Sequence, residues 1–95
     1  MMIEYRYDLG QITISEQANG DDVEFEIRLL RDFESQAERL RRIRSDFEHN
    51  DILTDVMFYM HPEHVYRVIV RKDFVVDFLL SLFKYGLLWQ LSRKS

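Results

Sequence analysis

The sequence predicts an α+β domain in which an antiparallel sheet is combined with two helices. Segments of alternating apolar and polar residues, typical of strands with one buried face, occupy the first third of the chain and recur near its middle. Two other segments carry apolar residues at helical spacing. The 95 residues are 46% hydrophobic, enough for one small core, so we interpret residues 1–95 as a single domain.

The first third of the chain predicts an N-terminal β-meander of three strands. Apolar residues alternate with polar ones over Ile3–Leu9 and again at Ile12 and Ile14, and Gly10 supplies a turn between them. Asn19-Gly20-Asp21 is a second turn signal, because Asn and Gly tolerate the positive φ of a tight hairpin. Alternation then continues over Val23–Leu29. A helix over 23–30 also fits the spacing, but the full alternation favours the third strand.

The period changes to that of a helix at Asp32, which is placed as an N-cap. The apolar residues of this helix fall on one face, and we expect the helix to end near His49-Asn50. They are Phe33, Ala37, Leu40, Ile43 and Phe47.

The second half of the chain predicts a β-hairpin, a second helix and a last strand. Two β-branched and aromatic runs, Val56–Met60 and Val65–Val70, flank the turn residues 61–64. Asp73 is placed to cap a helix that continues to about Tyr85, where Gly86 breaks it. Residues 87–91 are interpreted as a strand, with a continued helix as the alternative.

The complete order is β-β-β-α-β-β-α-β, and from residue 23 onward it is the order of a ferredoxin-like plait. In that plait the strand beginning at Val23 is central and both of its edges are occupied. The hairpin at Asn19-Gly20 would place the preceding strand on one of the same edges. Either the N-terminal hairpin packs elsewhere, or the sheet has a different α+β arrangement. Strand order alone carries no function.

Composition narrows the classes of function. The formal net charge of −4 argues against nucleic-acid and anionic-membrane partners, since both need a cationic surface. Zero cysteines exclude disulfides and thiolate chemistry and fit a cytoplasmic protein. The most apolar stretch, residues 74–91, is interrupted by polar residues, so no membrane span is predicted. Without a glycine-rich phosphate loop or a nucleophile motif, the sequence predicts no cofactor and no catalytic residues.

The turn His61-Pro62-Glu63-His64 is the candidate metal site. Its two histidines flank a proline turn and could converge on one ion, with Glu63 as an oxygen ligand. A third protein ligand such as His49 would have to come from the far end of the first helix. A hairpin loop explains the same residues with fewer assumptions, because proline and polar residues suit such loops.

The basic segment of the first helix is the candidate nucleic-acid site, with Arg39, Arg41, Arg42 and Arg44. Tyr5 or Tyr7 could add stacking platforms for bases. The alternative is a solvated helix face, because Glu38 is spaced to pair with Arg41 and Arg42, and Glu48 with Arg44.

The second helix carries more apolar surface than a helix lying on one sheet needs. Asp73, Asp77, Ser81 and Lys84 fall within about 80° of one another, and the other positions are apolar. The N-terminal hairpin or the first helix could cover this surplus, or it could form an interface. The residues on the side away from the sheet are Val76, Leu80 and Phe83.

We therefore predict an intracellular protein-interaction or regulatory module that forms a homodimer or binds a protein partner through Val76, Leu80 and Phe83. It is predicted to have no catalysis of its own. One alternative hypothesis is a nucleic-acid-binding module that uses the basic helix. A second is a metal or ligand sensor at His61 and His64.

Overall fold

A computed structural model of the protein describes residues 2–49 and 56–94. Within these ranges the predicted order β-β-β-α-β-β-α-β is confirmed. The elements are β1 (Met2–Arg6), β2 (Ile12–Asn19), β3 (Asp22–Leu29), α1 (Phe33–Glu48), β4 (Val56–His61), β5 (Val65–Arg71), α2 (Val75–Lys84) and β6 (Gln90–Lys94). The strands form two antiparallel sheets, so the predicted α+β class is confirmed as well.

The strand pairing removes the conflict between the N-terminal hairpin and the plait. The larger sheet has the order β2-β3-β5-β4, in which β3, β5 and β4 hold the positions that a ferredoxin-like plait gives them. The remaining position beside β3, which the last strand of a plait would occupy, is taken by β2. The last strand, β6, is in the second sheet, where it pairs with β1 from Met2↔Lys94 to Arg6↔Gln90.

The predicted pairing of β1 with β2 in a three-stranded meander is not formed, because β1 pairs with β6 instead, and a turn at Asp8 separates β1 from β2. The Asp8 carbonyl accepts bonds from the amides of Gln11 (2.9 Å) and Ile12 (3.1 Å), and the Asp8 side chain accepts one from Gly10. This tight turn redirects the chain. Two tyrosine side chains reach across to β2. The Tyr7 hydroxyl bonds both the N–H and the C=O of Ile14 at 3.1 Å, and the Tyr5 hydroxyl bonds the Glu16 carboxylate.

The other turns follow the sequence. The hairpin between β2 and β3 closes at Asn19↔Asp22 with Gly20 at φ 63°, and β3 is a strand rather than a helix. The hairpin between β4 and β5 closes at His61↔Val65, as predicted for the segment 61–64.

Both helix starts differ in detail from the prediction. Asp32 holds the N-cap position of α1 but is left-handed (φ 49°), and its side chain makes no capping bond. Its carbonyl instead accepts the Gln36 amide at 2.9 Å. Asp73 does not cap α2, because it lies inside a 3-10 turn, Lys72–Phe74, that precedes the helix.

The C-terminal ends of the helices agree with the prediction more closely than their starts do. Gly86, at φ 82°, ends α2 as predicted: its amide bonds the Phe83 carbonyl and the Leu87 amide bonds the Leu82 carbonyl. The last strand is displaced from the predicted 87–91 to Gln90–Lys94. Leu87 and Leu88 are buried before it begins. The first helix ends at Glu48 with His49 as its C-cap, and the predicted end at Asn50 lies outside the described residues.

The core lies between one face of the four-stranded sheet and the helices. Phe78 of α2 is fully buried, with its ring centroid 5.0 Å from that of Phe25 and 6.1 Å from that of Phe58. The β1–β6 sheet packs against the same cluster through partly buried Ile3, Tyr5 and Leu91. The side of α2 turned away from this cluster carries the partly exposed Val76, Leu80 and Phe83.

Candidate interaction face

The outer side of α2 carries an apolar surface, which we call the α2 face and define as Val76, Leu80 and Phe83. These side chains are 38%, 49% and 46% exposed. On the inner side of the same helix, Phe78 and Leu82 are fully buried. The cover by the N-terminal hairpin or α1 that the sequence allows is therefore incomplete among the described residues.

A row of polar residues borders the α2 face along one side. Asp73, Asp77 and Lys84 are exposed, and the Ser81 hydroxyl donates back to the Asp77 carbonyl at 3.1 Å. Within the described ranges neither Asp77 nor Lys84 forms a salt bridge. The Lys84 ammonium lies 5.4 Å from the ring centroid of Tyr85. The sequence places these charges on the helix but does not show that they lack ionic partners.

Strand β4 exposes a second set of apolar side chains at the edge of the larger sheet. Val56 is buried and Phe58 packs against the core, whereas Met57 and Tyr59, on the opposite face of the strand, are 42% and 44% exposed. Sequence reasoning did not single out this pair. The period-2 alternation of β4 is the signal that could have found it.

Three of the four arginines in the basic segment of α1 pair with two carboxylates of the same helix. Arg41 Nη2 lies 2.6 Å and Arg42 Nε 3.4 Å from Glu38 carboxylate oxygens, and Arg44 Nε lies 2.7 Å from Glu48. Hydrogen bonds from Arg41 and then Arg42 hold the pKa of Glu38 below its usual value. These are the pairs that the sequence spacing predicts.

Arg39 points instead toward the end of α2. Its Nη1 lies 3.5 Å from the Gly86 carbonyl, and Arg39, Arg42 and Lys84 line an open groove between the two helices. Lys84 is the cation that sequence reasoning missed here, because the two helices meet only in the folded chain.

We expect nucleic-acid binding to be absent despite the four arginines. Arg41, Arg42 and Arg44 pair with Glu38 or Glu48, and these carboxylates lower the local positive potential and repel phosphates. Fluorescence anisotropy with mixed duplex and single-stranded oligonucleotides at low salt checks this expectation. Micromolar binding that weakens steeply with salt and with Arg41→Ala plus Arg42→Ala would contradict it.

The tyrosines considered as stacking platforms are engaged within the fold. The Tyr5 hydroxyl donates to Glu16 Oε2 at 2.6 Å, and the rings of Tyr5 and Tyr7 stack with their centroids 6.2 Å apart. Burial first, and then the hydrogen bond to Glu16, raises the pKa of Tyr5 well above its ordinary value.

We expect this raised pKa to make stability fall at alkaline pH. The folded state holds the Tyr5 proton more tightly than the unfolded chain, so the stabilisation is fully present below about pH 10 and is lost as the pH rises above it. Denaturant unfolding of the wild type and Tyr5→Phe between neutral pH and pH 11 measures the difference. At neutral pH the free energy of unfolding of the variant should be lower by about 1 kcal/mol, because the variant lacks the hydrogen bond to Glu16. Its stability should then decline less above pH 10, and parallel pH curves would contradict the assignment.

Among the described residues, no group of three His, Cys, Asp or Glu side chains that could hold a metal ion is found, and a metal site at His61 and His64 stays a prediction. The backbone of Glu63 and His64 adopts the left-handed conformation, with φ 64° and 62°. The His64 ring stacks on Phe33 at the start of α1, with centroids 3.9 Å apart and planes 8° from parallel. The structure thus shows His64 fixing the hairpin to α1, a contact that sequence spacing does not reveal.

Comparisons with known proteins assign the chain to no family. No protein-family profile, curated protein or solved structure shows a significant similarity to the chain. In the described part of the chain, none of the helices has the length and apolar character needed to cross a membrane.

Proposed function

We propose that the protein is an interaction module that binds another protein surface through the α2 face, with a homodimer as its assembled form. The exposure of Val76, Leu80 and Phe83 on one side of a helix whose other side is buried is the observation that supports this. The proposal assigns it no catalytic step of its own. It includes a cytoplasmic location, which the lack of cysteine favours.

Burial of the α2 face in an interface would remove apolar surface from water, which favours association. Apolar area contributes about 25 cal/mol per Å² when it is removed from water, and large exposed apolar patches mark interaction sites. The three side chains are already about half-buried against their own chain. Binding would therefore bury less apolar area, and stabilise the complex less, than burial of fully exposed side chains would. A reversible contact fits this surface better than an obligate one.

Leu80→Glu is the test, because Leu80 is the central residue of the α2 face and the most exposed of the three. A charge there should weaken self-association by at least about 100-fold, since it would have to be desolvated in the contact. Sedimentation over a micromolar to millimolar concentration series measures this, with circular dichroism to confirm folding.

Gln17→Glu is the matched control, because it adds the same charge at an exposed position of β2, on the face of the sheet that carries Glu24 and Arg67 and away from α2. Self-association of the control should equal that of the wild type. A wild type that remains monomeric at millimolar concentration would rule out the homodimer. A Leu80→Glu variant that dimerises normally would place the contact elsewhere.

A further inference from the structure

We infer that two copies of the chain bind through their α2 faces as an antiparallel, two-fold symmetric helix pair, in which Lys84 of each chain forms an ion pair with Asp77 of the partner subunit. This inference rests on the proposed function and adds the partner and its orientation. It is carried by charge complementarity along the border of the face.

The border places opposite charges at the two ends of one side of the helix. Asp77 and Lys84 are seven residues apart, which is two turns or about 10.5 Å along the axis, and about 20° apart around it. Both are exposed, and in the described ranges neither has an ionic partner in its own chain. Leu80 lies between them, near the centre of the apolar row.

A two-fold axis through the contact at Leu80 brings these charges together. The axis reverses the helix direction. A residue four positions after Leu80 in one chain therefore lies at the same height along the helix as the residue four positions before Leu80 in the partner. Lys84 then lies about one residue, or about 1.5 Å along the axis, from the level of the partner's Asp77. Because this axis keeps the two charged borders on the same side of the seam, both ion pairs form at once.

The apolar residues fit the same arrangement. Val76 lies four positions before Leu80 and Phe83 three positions after it, so each Val76 packs beside the partner's Phe83, and the two Leu80 side chains meet at the axis. Residues of an isologous contact must be self-complementary in this way.

A parallel pair lacks both features. It places identical residues at the same level, and its axis along the helices puts the two charged borders on opposite sides of the seam. Neither Lys84 then reaches an Asp77. The opposed helix dipoles of an antiparallel pair also interact more favourably than aligned ones.

The size of the contact sets the expected affinity. Ten residues give α2 a length of about 15 Å, so the contact is smaller than the roughly 800 Å² per partner of a standard interface. We therefore expect a dissociation constant in the micromolar range or weaker, and dimerisation that weakens as salt screens the two ion pairs.

The test reverses the charges one at a time and then together. Asp77→Lys and Lys84→Asp each replace two attractive pairs with two repulsive ones and should weaken dimerisation about tenfold at low salt. The double variant restores opposite charges and should dimerise within about threefold of the wild type. Sedimentation equilibrium measures the constants, and circular dichroism confirms that each chain is folded.

Mixing the two single variants gives a sharper result. In the mixed pair, both ion pairs are attractive, so equimolar Asp77→Lys and Lys84→Asp should associate more tightly than either alone. Native mass spectrometry detects the mixed dimer because the chains differ in mass. Weak single variants without rescue, in the mixture or in the double variant, would overturn the antiparallel arrangement.

The remaining outcomes separate this inference from the proposed function. If all charge variants dimerise like the wild type while Leu80→Glu does not, the α2 face is the interface but the ion pairs are wrong. If the wild type is monomeric at millimolar concentration, the second copy is not the partner, and the inference falls together with the homodimer.

Discussion

Replacing Phe78 with Ala is expected to lower the free energy of unfolding by about 3–5 kcal/mol. Phe78 is fully buried, and its ring lies against Phe25, Phe58 and Phe47, at centroid distances of 5.0, 6.1 and 6.5 Å. It therefore joins α2 to the sheet and to α1 at one point. A domain of this size is stable by about 0.05–0.15 kcal/mol per residue, so this loss would remove a large part of the total. Denaturant unfolding followed by circular dichroism measures it.

Phe83→Ala is the matched control on the same helix. Phe83 is 46% exposed and belongs to the α2 face. Below the concentration at which the chain self-associates, its removal should cost less than about 1 kcal/mol. Equal losses for the two phenylalanines would contradict the orientation of α2.

The local elements of the fold are predictable from the sequence because their signals are local. Gly20 and Gly86 stand where the backbone is left-handed, and proline stands in the turn between β4 and β5. Alternation locates the strands because a half-buried strand has one apolar face. The same signal says nothing about partners. The pairing of β1 with β6 joins the two ends of the described chain, and no period in either strand specifies it.

The features of the candidate site also fall into those that are local in sequence, which can be predicted, and those that depend on packing, which cannot. Helical spacing identifies Val76, Leu80 and Phe83, because the circumference of one helix can be worked out from sequence alone. It also predicts the pairs of Glu38 with Arg41 and Arg42. Contacts between distant elements are not accessible to it. The stacking of His64 on Phe33 and the approach of Arg39 to Gly86 both depend on how elements pack.

The segment after α2 shows how packing overrides a local pattern. Residues 87–91 read as an apolar strand, and strand alternation from Leu87 would place Trp89 on the same side as Leu87. In the structure, Leu87 and Leu88 are both buried, at 3% and 2% exposure, while Trp89 is 67% exposed. The bonds of the Leu87 and Leu88 amides to the Leu82 carbonyl wrap this segment around the end of α2. The strand therefore begins only at Gln90.

We expect Leu88→Ala to lower the free energy of unfolding by about 2–5 kcal/mol, because it empties a buried site at the end of α2. Trp89→Ala removes a larger side chain from the next position and should change stability by no more than about 0.5 kcal/mol, since that side chain faces solvent. Only the Trp89 backbone amide is anchored, to the Arg6 carbonyl at 2.7 Å, and the substitution leaves it in place. Parallel denaturant titrations at a concentration that keeps the chain monomeric compare the two variants. A continuous strand over 87–91 predicts a large loss for Trp89→Ala, and that result would contradict the observed path of the chain.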